Sequence, residues 1–448
     1  MSLKAKVLYQ KVAAPFFMAA AKLVPNIFFP IIKRPKPAGP YFVGVKTVEF
    51  LRDNDCESNS EPSNKLSSKI WYPAENIDGL SRQTVFNADE LKNLQPVLSE
   101  TTGMPPVIIK QLANSVTWSY ENAALIQCSE SSLPVVVFSH GFGMLNTSNI
   151  QLCEHLASHG YMVISIAHTS FSTAVRFNNS EVIGLDKKKS EPFHNGELIH
   201  AVLPVIDTKS LTEREKSTRG WSNVKTQKDI ESIWVNNIKA CIDNFQNNTC
   251  LTNMSEFSQA GNFFNIGAVG MSFGGSASAS IGHEDSRIKA VVNLDGGQVG
   301  TTLMNKKIDA ALLMLHSNAI ELCSGGGFND FHYEEYQTSG LNNSVLRALI
   351  DGSSHHDFTD WCLIKGGLAR LVFMLGNVNG GRMTSMVNEL TYTFLNKHLK
   401  NHSVNVETTD LHYITSTWKE VKWLDGSHVR NMNDDHNVSM NSERGGPV

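Results

Sequence analysis

Gly270-Met271-Ser272-Phe273-Gly274 carries the residue with the clearest chemical potential in this 448-residue chain. A serine hydroxyl is a weak nucleophile until a base takes its proton, and it must project where that base and an electrophilic carbonyl can meet. The surroundings of Ser272 suit both needs. The apolar run Ile266-Gly267-Ala268-Val269-Gly270-Met271 predicts a buried strand, and Ser276, Ala277, Ser278 and Ala279 predict a helix starting just behind the serine. A sharp strand-to-helix turn lifts the hydroxyl clear of the backbone, and the flanking glycines relieve crowding. The helix N-terminus then offers N–H groups and a positive dipole end to a developing oxyanion.

Such a serine needs a base and an acid that orients the base. Both belong on loops just past the ends of later strands, in the order nucleophile, acid, base. Asp295 closes the run Ala290-Val291-Val292-Asn293-Leu294, the next strand after the serine, and Gly296-Gly297 turn the chain behind it. An aspartate there can accept a hydrogen bond from an imidazole, fix its tautomer and stabilise the imidazolium. Ser353-Ser354-His355-His356-Asp357 follows the strand candidate Val345–Ile350; one of its histidines is the candidate base, and spacing does not choose between them. His316, ending Leu312-Leu313-Met314-Leu315, is a third candidate base that reads better as a pocket-lining residue. The oxyanion needs a second donor beside the N–H of Phe273. Phe142, between glycines in Ser139-His140-Gly141-Phe142-Gly143, follows a buried strand and is the candidate, with His140 bracing the loop.

These loops require a rigid frame. Residues 41–50 and 69–72 predict early strands, and Pro134-Val135-Val136-Val137-Phe138 is a continuous apolar run of the buried type. A glycine loop, a helix over 149–159 and a buried strand at 161–166 follow, which is the strand–helix–strand signature. Residues 228–245 place Ile230, Ile233, Trp234, Ile238 and Ile242 at helical spacing. Strands are expected at Ile288–Leu294, 311–315 and Val345–Ile350, and a last helix near 383–399. The fold class implied is α/β: a doubly wound, mostly parallel sheet with helices on both faces, which together with the serine turn is the α/β-hydrolase fold. Residues 74 to about 132 read as polar and irregular. The charged stretch 172–226 reads as an insertion, either covering the site or forming a solvated loop. The expected division is an arm over 1–38, a catalytic domain over 39–400 and a polar, peripheral tail over 401–448.

With 41% hydrophobic and 18% charged residues the chain can bury a large core, and a formal charge of −4 gives no support to nucleic-acid binding. Its seven scattered cysteines suggest neither a disulfide framework nor zinc, and lean toward a reducing setting. Up to Lys46 there is no acidic residue, whereas Lys4, Lys6, Lys11, Lys22, Lys33, Arg34 and Lys36 are basic. The apolar stretches between them fall short of the roughly 20 residues that span a bilayer. Lys11, Pro15 and Lys22 fit a signal peptide poorly, and Ser2 does not provide the glycine that myristoylation requires. The arm therefore reads either as a basic, aromatic segment on a membrane surface or as a helix packed on the fold, with a cytoplasmic or peripheral-membrane location favoured.

Pro134 to Gly143 (PVVVFSHGFG), Leu156-Ala157-Ser158-His159-Gly160-Tyr161 and the serine turn together resemble the platelet-activating factor acetylhydrolase family. So do Gly39-Pro40-Tyr41-Phe42-Val43-Gly44, Ile70-Trp71-Tyr72-Pro73, Leu294-Asp295, Gly352-Ser353-Ser354-His355 with Phe358, and Phe394-Leu395-Asn396-Lys397-His398-Leu399. The likeness covers most of residues 39–400 and is weakest over 74–130 and 172–226. It implies a calcium-independent serine phospholipase of A2 type that releases acetyl and other short or oxidised acyl groups from the sn-2 position of phospholipids. Residue by residue, it implies Ser272 as nucleophile, Asp295 as acid, His355 as base, and the amides of Phe142 and Phe273 as oxyanion donors. The reaction implied is two-step acyl transfer with no metal or organic cofactor. The implied partners are a phospholipid substrate and a peripheral membrane or lipoprotein-type surface, with no nucleic acid. Where the family usually has Glu-His-Arg-Asp this chain has Ala167-His168-Thr169-Ser170, and Gly296-Gly297-Gln298 stands where animal members carry a bulky aromatic segment. The alternatives are a carboxylesterase for another small ester and a non-catalytic lipid-binding protein on the same scaffold.

Overall fold

In the computed structural model, side chains that alternate along the central strands feed two separate cores, one on each face of a single long sheet. Residues 32–52, 64–194, 211–299, 308–317, 329, 345–365, 370, 373–400 and 417–424 are described. The strands are β1 (Phe42–Leu51), β2 (Lys65–Ala74), β3 (Arg82–Thr84), β4 (Val116–Glu121), β5 (Leu133–Ser139), β6 (Met162–Ala167), β7 (Ala174–Arg176) and β8 (Val182–Gly184). They continue with β9 (Gly261–Met271), β10 (Ile288–Leu294), β11 (Ala311–Ser317), β12 (Val345–Ile350) and β13 (Val421–Leu424). All but the small β7–β8 hairpin form one sheet in the order β13-β12-β11-β10-β9-β5-β6-β2-β1-β4-β3. Its centre, β6-β5-β9-β10-β11-β12, is parallel throughout. β2 joins β6, and β13 joins β12, in antiparallel sense.

The helices are α1 (Ala88–Thr102), α2 (Pro106–Ala113), α3 (Ile150–Ser158), α4 (Lys187–His194), α5 (Leu211–Ser222), α6 (Lys225–Gln246), α7 (Ser255–Ala260), α8 (Phe273–Glu284) and α9 (Gly380–Leu399). Val136, Phe138, Val163, Val269 and Val292 point to one core, closed by α1, α2, α3 and α9. Val135, Val137, Ile164, Ala268 and Val291 point to the other, closed by α6, α7 and α8. Strands covered on both faces need apolar residues at successive positions, which is why the central ones read as continuous hydrophobic runs. The doubly wound sheet expected from the sequence is thus present, and its parallel strands all end on the edge where Ser139, Ser272 and Asp295 lie.

Residues 74–132 depart from the irregular stretch expected. They hold α1, α2, β3 and β4. Asn87 starts α1 as a reciprocal cap: its side chain accepts from the N–H of Asp89 and Glu90, and Glu90 returns a carboxylate to the N–H of Asn87. Pro96 inside α1 breaks the sequence pattern that would have announced this helix. In the stretch 172–226 the described residues form the β7–β8 hairpin, α4, α5 and the start of α6, while 195–210 lie outside them. Of the arm, residues 32–38 form neither helix nor strand, with Ile32 and Arg34 buried, and 1–31 lie outside the described residues. Beyond Lys400 the described residues supply β13, tied down by Trp418 Nε1 donating to Glu389 at 2.8 Å and by Arg382 against Glu420 at 2.7 Å. No helix among the described residues is long and apolar enough to cross a membrane.

Candidate active site

Ser272 sits between β9 and α8 at φ 55° and ψ −122°, a sparsely populated positive-φ conformation that costs a non-glycine residue on the order of 1–3 kcal/mol. Hydrogen bonds hold it there. Its N–H donates to Leu294 O at 2.9 Å, and its carbonyl accepts from Gly275 N at 2.9 Å and Ser276 N at 3.2 Å. The glycines on either side are demanded by close approach. A β-carbon at Gly270 would overlap the carbonyl of Gly274, and one at Gly274 would overlap that of Ser139. The helix can therefore start directly above the sheet edge, with the serine hydroxyl on the outside of the turn.

Parallel pairing of β9, β10 and β11 sets Met271 beside Leu294 and Leu294 beside Leu315, so the residues that follow these strands converge. Asp295, at φ 56°, donates its N–H to Leu315 O at 2.8 Å. One carboxylate oxygen accepts from Ser317 N at 2.6 Å and the other faces His355 Nδ1 at 2.8 Å. His355 Nε2 stands 2.9 Å from Ser272 Oγ. The Asp295 side chain is 1% exposed, so its charge is shielded from water and aimed at the imidazole. With Asp295 accepting at Nδ1–H, Nε2 is the unprotonated nitrogen facing the serine O–H.

The two adjacent histidines are separated by what they face. His356 donates from Nδ1 to Phe373 O at 2.9 Å, and burial, with a smaller contribution from His355, pushes it down to about 4. It is a neutral, structural ring. His316 is buried at the end of β11, next to the Ser317 that donates to Asp295.

The loop after β5 abuts the serine: a β-carbon at Gly141 would lie 3.4 Å from Ser272 Cβ. The Phe142 and Phe273 rings meet edge to face, with 6.1 Å between their centroids. Gly143 N donates to Phe171 O at 2.9 Å, and Thr173 N donates to Met144 O at 3.0 Å, fixing the loop from outside. His140 braces it from within, donating from Nδ1 to Gly141 O at 2.7 Å and accepting at Nε2 from Ser172 Oγ at 2.8 Å. Burial pushes His140 down to about 4. His168 stacks on Trp234 at 3.8 Å and bonds Ser139 Oγ at 2.8 Å and Asn237 at 3.1 Å. Burial, and then the neighbouring His140, hold it well below its ordinary value too. Two rings, hydroxyls and an amide thus surround His168, with the buried Arg52 near enough to add to the lowering.

Sequence reasoning passed over Asp357 and Arg370. The fully buried Asp357 carboxylate accepts from Ser354 N at 2.9 Å and pairs with Arg370 at 3.1 Å, and Arg370 also donates to the carbonyls of Cys362 and Gly376. Ser354-x-x-Asp357 is a short capping signature that could have found the first of these. Among the described residues no group of three or more His, Cys, Asp or Glu is placed to hold a metal ion.

Comparison with known proteins bears on the whole chain. It is 21% identical to platelet-activating factor acetylhydrolase of Cavia porcellus over 82% of its own length and 78% of the relative's. For the Bos taurus protein of that name, the identity is 23% over 82% and 77% of the two chains. Among solved structures, a ferulic acid esterase from Streptomyces cinnamoneus superposes with a TM-score of 0.61 at 19% identity, covering 88% of this chain and 99% of that one. That likeness speaks for the α/β-hydrolase fold alone. The family model "Platelet-activating factor acetylhydrolase, isoform II" matches residues 27–413, which takes in the entire sheet edge just described except β13. The chain belongs to the platelet-activating factor acetylhydrolase family.

Proposed function

We propose that this ester hydrolase removes acetyl and other short or oxidised acyl groups from the sn-2 position of platelet-activating factor-like phospholipids, with Ser272 as nucleophile, His355 as base and Asp295 as the orienting acid. The observation that carries this reading is the unbroken hydrogen-bonded chain from Ser272 Oγ through both nitrogens of His355 to Asp295, at 2.9 and 2.8 Å. His355 takes the hydroxyl proton as Ser272 Oγ bonds to the ester carbonyl carbon. The carbonyl oxygen becomes an oxyanion that accepts from the amides of Phe142 and Phe273, each donor worth about 2.7–4 kcal/mol by analogy with other serine hydrolases. Collapse of this intermediate breaks the bond to the glycerol oxygen, which takes the proton from His355 and leaves as the lysophospholipid. A water, deprotonated by the same imidazole, then attacks the acyl-serine, and its proton returns to Ser272 Oγ as the acid departs. Family membership and the basic, apolar arm support a lipid surface as the place of work.

The test is hydrolysis of phosphatidylcholines with sn-2 chains from acetyl to palmitoyl, in excess chelator, by wild type, Ser272→Ala and His355→Ala. Activity confined to short chains and lost in both variants is expected. Substantial activity in homogeneous Ser272→Ala would remove the nucleophile. Refusal of every phospholipid with simple esters still cleaved would move the substrate to a small-molecule ester.

A further inference from the structure

The segment bearing His355 is docked on the fold through a buried ion pair that the acyl-transfer steps do not use. The 3-10 turn His355–Phe358 is followed by a second, Asp360–Leu363. Asp360 donates its N–H to Ser148 O at 2.9 Å, and its carboxylate accepts from Gln151 N at 3.2 Å, in the first turn of α3. Asn149 Nδ2 adds a bond to Phe358 O at 2.7 Å. Residues 148–151 continue directly from the loop that carries Phe142. This joint therefore sets the base segment and the oxyanion loop relative to one another.

The cation of the joint comes from the far end of the chain. Arg34 Nε donates to Asp360 Oδ2 at 3.1 Å, and the two side chains are 3% and 7% exposed. Arg34 is itself held on several sides. Nη1 donates to Ser115 Oγ, Trp118 Nε1 donates to the Arg34 carbonyl at 3.1 Å, and Gln151 Nε2 donates to Pro35 O at 3.1 Å. A mostly apolar cavity of about 130 Å³ is lined both by Arg34, Asp360 and Trp361 and by Gly143 and Met144 of the oxyanion loop, so apolar packing is incomplete there and the polar joint carries more of the spacing. Without its partner, a carboxylate buried there would protonate or swing toward water, and either change shifts the turn that follows His355.

We propose that Arg34 is a positioning residue for the acyl-transfer reaction, acting through Asp360 to fix the His355 imidazole relative to Ser272 and the oxyanion loop. This rests on the reading of His355 as the base. The N-terminal segment is then part of the catalytic unit and not only an attachment to it.

The experiment measures kcat and KM on a water-soluble short-chain ester for wild type, Arg34→Lys, Arg34→Met, Asp360→Asn and the Arg34→Met/Asp360→Asn pair. Rates are divided by the serine that reacts to completion with a fluorophosphonate, so that unfolded protein drops out. Arg34→Met and Asp360→Asn are expected to lose about ten- to a hundredfold in kcat with KM within about twofold, the scale of a small misplacement of a catalytic group. The paired variant should be no slower than the slower single one, because both remove one interaction. Arg34→Lys should fall between, since it keeps the charge but not the two-sided grip on Asp360 and Ser115. Should Arg34→Met not fold, Arg34→Lys and Asp360→Asn carry the same comparison. Unchanged kcat per labelled serine, or losses that multiply in the pair, overturns the proposal. Wild type that neither labels nor hydrolyses would instead defeat the assignment of Ser272 and His355, so the two failures look different.

Discussion

His355 and His356 show how one residue type takes two roles according to what each ring faces. His355 bridges Ser272 and Asp295 through both nitrogens, whereas His356 donates a hydrogen bond to the Phe373 carbonyl and packs against Trp361 at a ring distance of 5.3 Å. His355→Ala should therefore lower kcat about a thousandfold or more, as loss of a base does in other serine hydrolases. His356→Gln should keep kcat within about threefold and lower the unfolding temperature, because it removes a buried contact and no reacting group. Rates per fluorophosphonate-labelled serine, with a melting curve for each variant, check both. Equal losses in the two variants would undo the distinction. Spacing in the sequence could not draw this line, since adjacent residues on a turn share every local cue. The Arg34–Asp360 pair was beyond reach for another reason: its members are 326 positions apart and neither sits in a motif.

At the scale of elements, the serine turn is a packing solution as much as a chemical one. Gly270 and Gly274 are needed because the first turn of α8 lies directly on the carbonyls of β9 and β5. Gly274→Ala should thus fail to accumulate as soluble protein or melt far below wild type, a loss of several kcal/mol of the kind that backbone overlap produces. Soluble yield and melting temperature measure it. A Gly274→Ala protein as stable as wild type would mean that the helix start can slide away from Ser139. The same crowding made this element legible, since close approach leaves a glycine signature at fixed spacing, and the buried parallel strands were legible as apolar runs. Elements that draw their order from distant partners were not. α1 is stabilised by its Asn87–Glu90 cap and runs through a Pro96 that disguises it in the sequence, and β13 is a four-residue edge strand fixed by pairing with β12. His168 has no local cue to its partners, and only the fold shows Ser139, Asn237 and Trp234 taking up the ring.

Across the whole molecule, burial of neutral groups makes stability depend on pH in two opposed ways. Burial lowers His140, His155, His356 and His398 from 6.5 to about 4, 3, 4 and 4, and lowers His159 and His168 as well. Below 6.5 the unfolded chain takes up protons that these folded rings refuse, so this contribution is lost as pH falls from 6.5 toward 4. Burial raises Glu154 and Glu231 from 4.5 to about 7 and about 8, and it raises Asp357 and Asp360 too. Above 4.5 the unfolded chain sheds protons that the two folded glutamic acids keep, so this contribution is lost as pH rises toward 7 and 8. Where the ranges overlap, the four histidines lowered to about 3 or 4 oppose the two glutamic acids raised to about 7 and 8, and acid destabilises. Between 6.5 and about 8 the two glutamic acids lead. The melting temperature should therefore peak near about pH 6.5 and decline on both sides, each group contributing on the order of 1 kcal/mol per pH unit. Glu231 isolates the alkaline side: it accepts from Ser276 at 2.7 Å and Ser280 at 2.9 Å on α8, and Ser276 in turn accepts from Val299 N at 3.0 Å in the loop after Asp295. Glutamine can accept the same two bonds without a charge to lose. Melting curves at pH 5, 6.5 and 8 should show Glu231→Gln matching wild type at 6.5 and exceeding it at 8. Wild type that is most stable at pH 8, or a variant that keeps the full alkaline decline, would show that Glu231 is not held protonated behind the serine turn.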